Sequence, residues 1–216
     1  MNTVSQNLTD LKSTIGAQST LIAVSKRQPL DKVKMALESG HRTFGENRVQ
    51  DACVIWPDLK ASYPDTELHL IGALQTNKTR QAVEVFDVIH SLDRPKLAKS
   101  LAHEMAKQNR YLSCFIQVNT GEEEQKSGVL PHDLESLYHY CTADLHLNII
   151  GLMCIPPVHE PAGLHFALLR KLASHHKLAN LSMGMSSDYP LALKFGATHL
   201  RIGTGIFGAR APLEFP

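Results

Sequence analysis

Apolar runs of strand length alternate with longer stretches of helical periodicity, and this limits the folds open to the chain more than any other feature. Residues 21–25 (LIAVS) read as a buried strand. Leu30, Val33 and Leu37 then recur at helical spacing, and Gly40 sits where a helix ends on a left-handed residue. Residues 43–45 begin a second strand, followed by a helical stretch that ends near Pro57. The third strand is 69–74 (HLIGAL), before a helix over 77–86 with Val83 and Phe86 on one side. The fourth is 88–92 (VIHSL), before a helix marked by Leu97, Leu101 and Met105. The fifth, 114–118 (CFIQV), precedes a helix carrying Leu134, Leu137, Tyr138 and Cys141. The sixth, 149–155 (IIGLMCI), precedes a helix striped by Leu164, Leu168 and Leu172. The seventh, 181–185 (LSMGM), precedes a short helix over 190–195 closed by Gly196, and 199–202 (HLRI) is the eighth.

Strands that are apolar on both faces and joined by helices form a parallel sheet. Eight units of about 27 residues predict an α/β chain folded as a single (β/α)8 TIM barrel, with an open doubly wound sheet as the alternative. Residues 1–18 are expected to add a helical extension outside the repeat. No linker or composition shift divides 1–216, which is expected to form one domain. Lysine plus arginine is 22 against 21 aspartate plus glutamate, a net charge of +1 that argues against a nucleic-acid partner. No apolar run approaches the ~20 residues of a membrane span, and the polar N-terminus does not resemble a signal peptide. Cys53, Cys114, Cys141 and Cys154 stand far apart with no CxxC, as expected of reduced thiols in a cytoplasmic protein.

A barrel of this kind carries its site at the C-terminal ends of the strands. Ser25, Lys26, Glu46, Asn47, Gln75, Asn77, Asp93, Asn119, Met153, Ser186, Arg201, Gly203 and Thr204 fall there. Lys26 directly follows an apolar strand, where partial desolvation favours the neutral amine that forms a Schiff base. The alternative is an ordinary surface lysine opening a loop. Gly203, Gly205 and Gly208 in RIGTGIFG satisfy GxGxxG, but only eight residues follow, so no dinucleotide-binding βαβ unit is expected. Glycines after a strand also let the backbone close on a smaller anion such as a phosphate, with Ser186 as a second donor. A tight loop closing the barrel is the alternative. Arg201, two residues before Gly203, points inward if Gly203 does. An inward arginine needs an acceptor, either a ring nitrogen of a bound heterocycle or a structural carboxylate. Lysine Schiff base, phosphate turn and inward arginine together describe a pyridoxal 5′-phosphate (PLP) site. Arginine does not deliver its proton to the pyridine nitrogen, which makes transaminase-type chemistry unfavourable.

AVSK around Lys26, FGEN at 44–47, HLIGALQTNK at 69–78, QVN at 117–119, GLM at 151–153, LSMGMSSD at 181–188 and RIGTGIFGAR at 201–210 run in order over nearly the whole chain. Through them the chain resembles the pyridoxal phosphate homeostasis protein family, single-domain barrels similar to the N-terminal domain of alanine racemase. The resemblance implies a covalent aldimine between Lys26 and PLP. It also implies Arg201 at the pyridine nitrogen, Ser186, Gly203 and Thr204 at the phosphate, and Asn47 beside the ring. It further implies a cytoplasmic monomer that binds, buffers or supplies the cofactor, possible exchange with PLP-dependent apo-enzymes, and effects on amino-acid and keto-acid balance. Ala73 stands where relatives commonly carry histidine, Arg48 where many carry tyrosine, and the loop after the lysine reads RQP.

Racemisation needs an acid/base group on each face of the substrate carbon, and alanine racemases draw the second, a tyrosine, from a partner subunit's additional domain. The chain ends at Pro216, and its five tyrosines (Tyr63, Tyr111, Tyr138, Tyr140 and Tyr189) lie in helical or connecting segments. No catalytic residue is therefore assigned, and weak racemase activity stands as the alternative. A Schiff-base aldolase, with Glu46 or Asp93 as acid/base, is a second alternative. Twelve histidines offer no HExxH. His175 and His176 are expected on a solvated helix face, His69 as a packed residue, and no metal is expected.

Overall fold

The computed structural model describes residues 3–209. The strands are β1 (Thr20–Val24), β2 (Thr43–Glu46), β3 (Glu67–Leu70), β4 (Val88–Leu92), β5 (Ser113–Gln117), β6 (Asn148–Met153), β7 (Asn180–Ser182) and β8 (His199–Ile202). They pair in sequence order, all parallel, and β8 pairs with β1 to close the barrel. The open doubly wound sheet is thereby excluded. Helices α2 (Leu30–Glu38), α3 (Val49–Ser62), α4 (Thr79–Val85), α5 (Pro95–Gln108), α6 (Leu134–His139), α7 (Ala162–His175) and α8 (Tyr189–Lys194) lie between successive strands. An extra helix, α1 (Thr3–Ile15), precedes β1 and ends at Gly16, whose φ is +72. It buries Val4, Leu8, Leu11 and Ile15 at 3- and 4-residue spacing, so one face packs on the barrel.

The outer core lies between sheet and helices. Leu97, Leu101 and Met105 of α5 are buried there, as are Leu134, Leu137 and Cys141. The chain continues past α6 as a wide π turn over Tyr140–Asp144. The helix expected to stop near Pro57 runs on to Ser62, because Trp56 and Leu59 are buried on either side of the proline. That burial outweighs a lost backbone bond costing ~3 kcal/mol. The stripe expected on α7 has the right period and the wrong phase. Leu164 is 66% exposed, while Phe166, Leu169 and Ala173 face the core. Strands β3 and β7 are shorter than expected. Gly184 turns left-handed (φ +92) soon after β7, and beyond Leu70 the chain bends into the barrel mouth.

The barrel interior is polar for a fold that normally fills it with branched aliphatics. His69 of β3, His90 of β4, Ser182 of β7 and Arg201 of β8 meet across the axis. Phe115 of β5 stacks on His90 at 4.3 Å and meets His199 edge-on at 4.9 Å. Gly151 of β6 makes room, since a Cβ there would lie 2.7 Å from the Phe115 ring.

The phase of α7 is testable by substitution. Phe166→Ala should cost about 3–5 kcal/mol in urea denaturation, whereas Leu164→Ala should stay within about 0.5 kcal/mol of the parent. Equal losses would show that Leu164 is part of the core.

Candidate functional site

Closure of the barrel sets the site. Ile22 pairs with Arg201 across the β1–β8 seam, so the residues after β1 stand beside those after β8. Lys26 follows β1 and is half-buried. Arg27 turns the chain left-handed (φ 54) directly after it. Asn47 follows β2. Its backbone is pressed by the chain after β3, where a Cβ on Gly72 would lie 2.2 Å from the Asn47 carbonyl oxygen. The Asn47 Oδ1 is buried without a hydrogen-bond partner.

Arg201 is 4% exposed. Its Nη1 donates to Ser182 Oγ at 2.6 Å and its Nη2 to the Cys154 carbonyl at 2.9 Å. Its hydrogen-bond partners among the described residues are thus a hydroxyl and a carbonyl, and no carboxylate bonds it there. Desolvation pushes its pKa down from the ordinary arginine value. Gly203 leads into a short turn of helix, α9 (Thr204–Phe207), in which Ile206 N and Phe207 N donate to the Gly203 carbonyl. Ser186 Oγ accepts from Gly205 N at 3.3 Å, tying the loop after β7 to the loop after β8. From outside, Asn7 Nδ2 donates to the Ile206 carbonyl at 2.9 Å and Lys32 Nζ to the Phe207 carbonyl at 2.6 Å. The extra N-terminal helix therefore braces this turn.

One cavity of about 320 Å³ gathers Lys26, Asn47, Ser186, Arg201, Gly203 and Thr204. That volume falls within the range of small-molecule sites, ~300–1,000 Å³. Val24, Ile71, Ile155, Met185 and Ser187 complete the lining. The apolar members and Ser187 were not singled out in the sequence, where they read as ordinary strand and loop residues. Other strand-end candidates do other work. Ser25 Oγ donates to Glu46 Oε1 at 2.6 Å. Glu46 is buried in a separate small pocket against Trp56, and burial raises its pKa. Asp93 pairs with Arg94 at 2.5 Å and accepts from Gly128 N at 3.3 Å. Neither carboxylate lines the cavity that gathers Lys26, Arg201 and the glycine turn, so the acid/base pair named for the aldolase alternative is not assembled there. Asn119 braces its own loop through Glu123, Met153 is in the core, and Gln75 lines a neighbouring open pocket. Asn77 lies in a single helical turn over Thr76–Lys78. Arg210 of the last motif lies outside the described residues.

Beneath the cavity, burial works against charging His90 and His199. Burial first, then the neighbouring His69, Arg201 and His199, drive the His90 pKa well below 6.5. His199 falls to about 4, chiefly by burial. Outside the barrel axis, His176 is not solvated as expected: its ring packs on Tyr138 at 4.6 Å with the side chain 5% exposed. His69 is packed as expected, 1% exposed. Among the described residues no three histidine, cysteine or carboxylate side chains are grouped to hold a metal ion. Burial pushes the thiols of Cys114, Cys141 and Cys154 up to about 12, so they are inert.

The buried histidines predict acid sensitivity. His41, lowered to about 4, His199 and His90 all have folded pKa values below their unfolded value of 6.5. The unfolded chain therefore binds more protons as pH falls from 6.5 toward 4, and stability is lost across that window. His41, 4% exposed, should by itself account for about 2 kcal/mol between pH 7 and pH 5. Urea midpoints measured at both pH values check this, and an unchanged midpoint would count against neutral buried histidines.

Comparison with known proteins agrees with this architecture. The family profile described as alanine racemase, N-terminal domain, matches residues 1–211. The pyridoxal phosphate homeostasis protein of Haemophilus influenzae is 38% identical over 200 residues, covering 88% of this chain and 84% of the relative. That of Escherichia coli K12 is 34% identical over 229 aligned positions, covering 97% and 98%. PipY of Synechococcus elongatus PCC7942, solved with PLP bound, superposes with a TM-score of 0.88 at 37% identity. The match covers 95% of this chain and 100% of PipY. Alanine racemase of Clostridium difficile 630 has a TM-score of 0.78 at 9% identity, over 100% of this chain and 59% of the racemase, and shows the shared fold. Among the described residues no helix is long and apolar enough to cross a membrane.

Proposed function

The chain belongs to the pyridoxal phosphate homeostasis protein family, and on that premise we propose that it binds PLP at the barrel mouth and helps maintain the cell's supply of the free cofactor. The observation that carries this reading is one cavity bounded by Lys26, Arg201 and the Ser186–Gly203 turn. PLP presents an aldehyde, a ring nitrogen and a phosphate, and each has a chemically matched partner in that lining.

Lys26 would hold the aldehyde end of the cofactor, its amine being the nucleophile of the lining. Arg201 would donate an N–H to the ring nitrogen and keep its own proton. Ser186, Thr204 and the backbone at Gly203 take the phosphate. Asn47, whose Oδ1 is buried and unpartnered, would stand beside the ring. The apolar side chains of Ile71, Ile155 and Met185 cover the ring faces.

Binding rather than turnover is part of the proposal. Among the described lining residues Lys26 is the single side chain able to act as a base, because arginine stays protonated. Racemisation requires a second group on the opposite face, and its loss costs about 10²–10⁴-fold in rate. The reading also places the protein in the cytoplasm as a single-domain monomer that exchanges PLP with apo-enzymes. The buried thiols and the site held within one chain support that placement.

Added PLP should give a yellow protein that borohydride bleaches, with the phosphopyridoxyl mass on the peptide containing Lys26. Lys26→Ala should bind without the yellow band. A parent protein that takes up no PLP would overturn the reading. Racemase turnover within tenfold of a dedicated enzyme would overturn the assignment to binding and favour the weak-racemase alternative.

A further inference from the structure

Beneath the cavity a line of polar side chains crosses the barrel, and the binding roles above use only its first member. Arg201 Nη1 donates to Ser182 Oγ at 2.6 Å, and Ser182 Oγ lies 2.8 Å from His90 Nδ1. His90 Nε2 lies 2.8 Å from His69 Nδ1, and His69 Nε2 lies 3.2 Å from Glu67 Oε1. The members come from β8, β7, β4 and β3, so the line runs between strands rather than along one. Ser182 and His90 are 0% exposed and His69 1%, while the Glu67 side chain, at the start of β3 and away from the cavity, is 52% exposed.

Proton counting gives the line one direction. A guanidinium has only donors, so Ser182 Oγ accepts from Arg201. At the other end a carboxylate only accepts, and a ring lone pair turned toward it would be repelled. With one hydrogen on the His69 ring, that hydrogen is on Nε2, facing the carboxylate, and Nδ1 accepts. His90 then carries its hydrogen on Nε2, its Nδ1 accepts, and the Ser182 hydroxyl donates to it. His69 Nε2 is buried without a hydrogen-bond partner, so the Glu67 carboxylate 3.2 Å away acts as the nearby charge that selects the tautomer. The remaining neighbours hold the rings in place: Phe115 stacks on His90, and His199 stands 6.3 Å from His69 and 6.1 Å from His90 with its Nδ1 at Thr198 Oγ1.

We propose that Ser182, His90, His69 and Glu67 are positioning residues that aim the Arg201 guanidinium at the cavity through a one-way hydrogen-bond relay anchored on the Glu67 carboxylate. Each link polarises the next, so Ser182 Oγ becomes a stronger acceptor and the buried arginine is held in one orientation. The consequence for cofactor affinity rests on the proposed PLP site; the direction of the relay does not.

The test uses the full chain and Glu67→Gln, a half-exposed and nearly isosteric change away from the cavity. Nitrogen-15 NMR of the imidazoles in the protein without PLP should show His69 and His90 as neutral Nε2–H tautomers. Glu67→Gln should mix the tautomers of both rings and raise the PLP dissociation constant about 3- to 10-fold, the net worth of one hydrogen bond. An Nδ1–H tautomer on either ring in the parent protein would overturn the relay. Unchanged tautomers in the variant would overturn its anchoring on Glu67, and mixed tautomers with unchanged PLP affinity would overturn the positioning role. A parent that binds no PLP would instead sink the functional reading, while the parent tautomers still decide the relay.

Discussion

Pairing of the first strand with the last is the contact on which the site depends. Thr20 to Ala23 align with His199 to Ile202, and this register sets Lys26 from the beginning of the chain beside Gly203 from its end. Slipping a strand by one residue would exchange its inward and outward faces. Arg201 would leave the axis and Leu200 would enter it. The seam is supported from outside by α1 and by Lys32, which hold the turn after β8 through backbone carbonyls at Ile206 and Phe207. A helix outside the eightfold repeat thus has a physical role at the mouth, fixing the turn proposed to receive a phosphate.

A buried arginine constrains what surrounds it. An unpaired charge at that depth is costly, and a carboxylate partner would neutralise the field that makes it useful to a ligand. The barrel resolves this with neutral acceptors, the Ser182 hydroxyl and the Cys154 carbonyl. Ser182 in turn needs partners, which brings His90 and His69 into positions that aliphatic side chains normally fill. Burial of His90 favours its uncharged form, so the ring bonded to Ser182 adds hydrogen bonds without adding positive charge beside Arg201.

Much of this was legible in the sequence, and the limits were physical. All eight strands could be located because parallel strands buried on both faces read as continuous apolar runs. Lys26, Arg201 and the glycine turn could be grouped because closure of a barrel is implied by the repeat, and the structure gathers all six singled-out residues around one cavity. What failed was local. Leu164, Leu168 and Leu172 show a helical period but not which face docks, and Phe166 decides that through tertiary contacts. Pro57 signals a stop that burial of Trp56 and Leu59 overrides. Glu46 and Asp93 fell at strand ends, yet a strand end does not reveal which way its last side chain turns. The polar line through the axis was hidden because His69, His90 and Ser182 are scattered over three strands, each reading as an isolated polar residue in an apolar run.

The same lining explains why release is as accessible to this site as capture. A Schiff base between a lysine and an aldehyde forms with loss of water and breaks when water returns. An enzyme that must protect a reactive intermediate closes its site against solvent. Here Lys26 is half-buried, Thr204 and Ser186 stand at the surface side of the turn, and Ile155 at the rim is 38% exposed. Lys26 is open to solvent, while Arg201 and the braced turn are held in place by contacts already made within the protein. Preorganised contacts lower the ordering cost of binding, and an open mouth leaves hydrolysis unhindered. A rigid floor under an open rim suits a protein that holds an aldehyde cofactor and gives it up again.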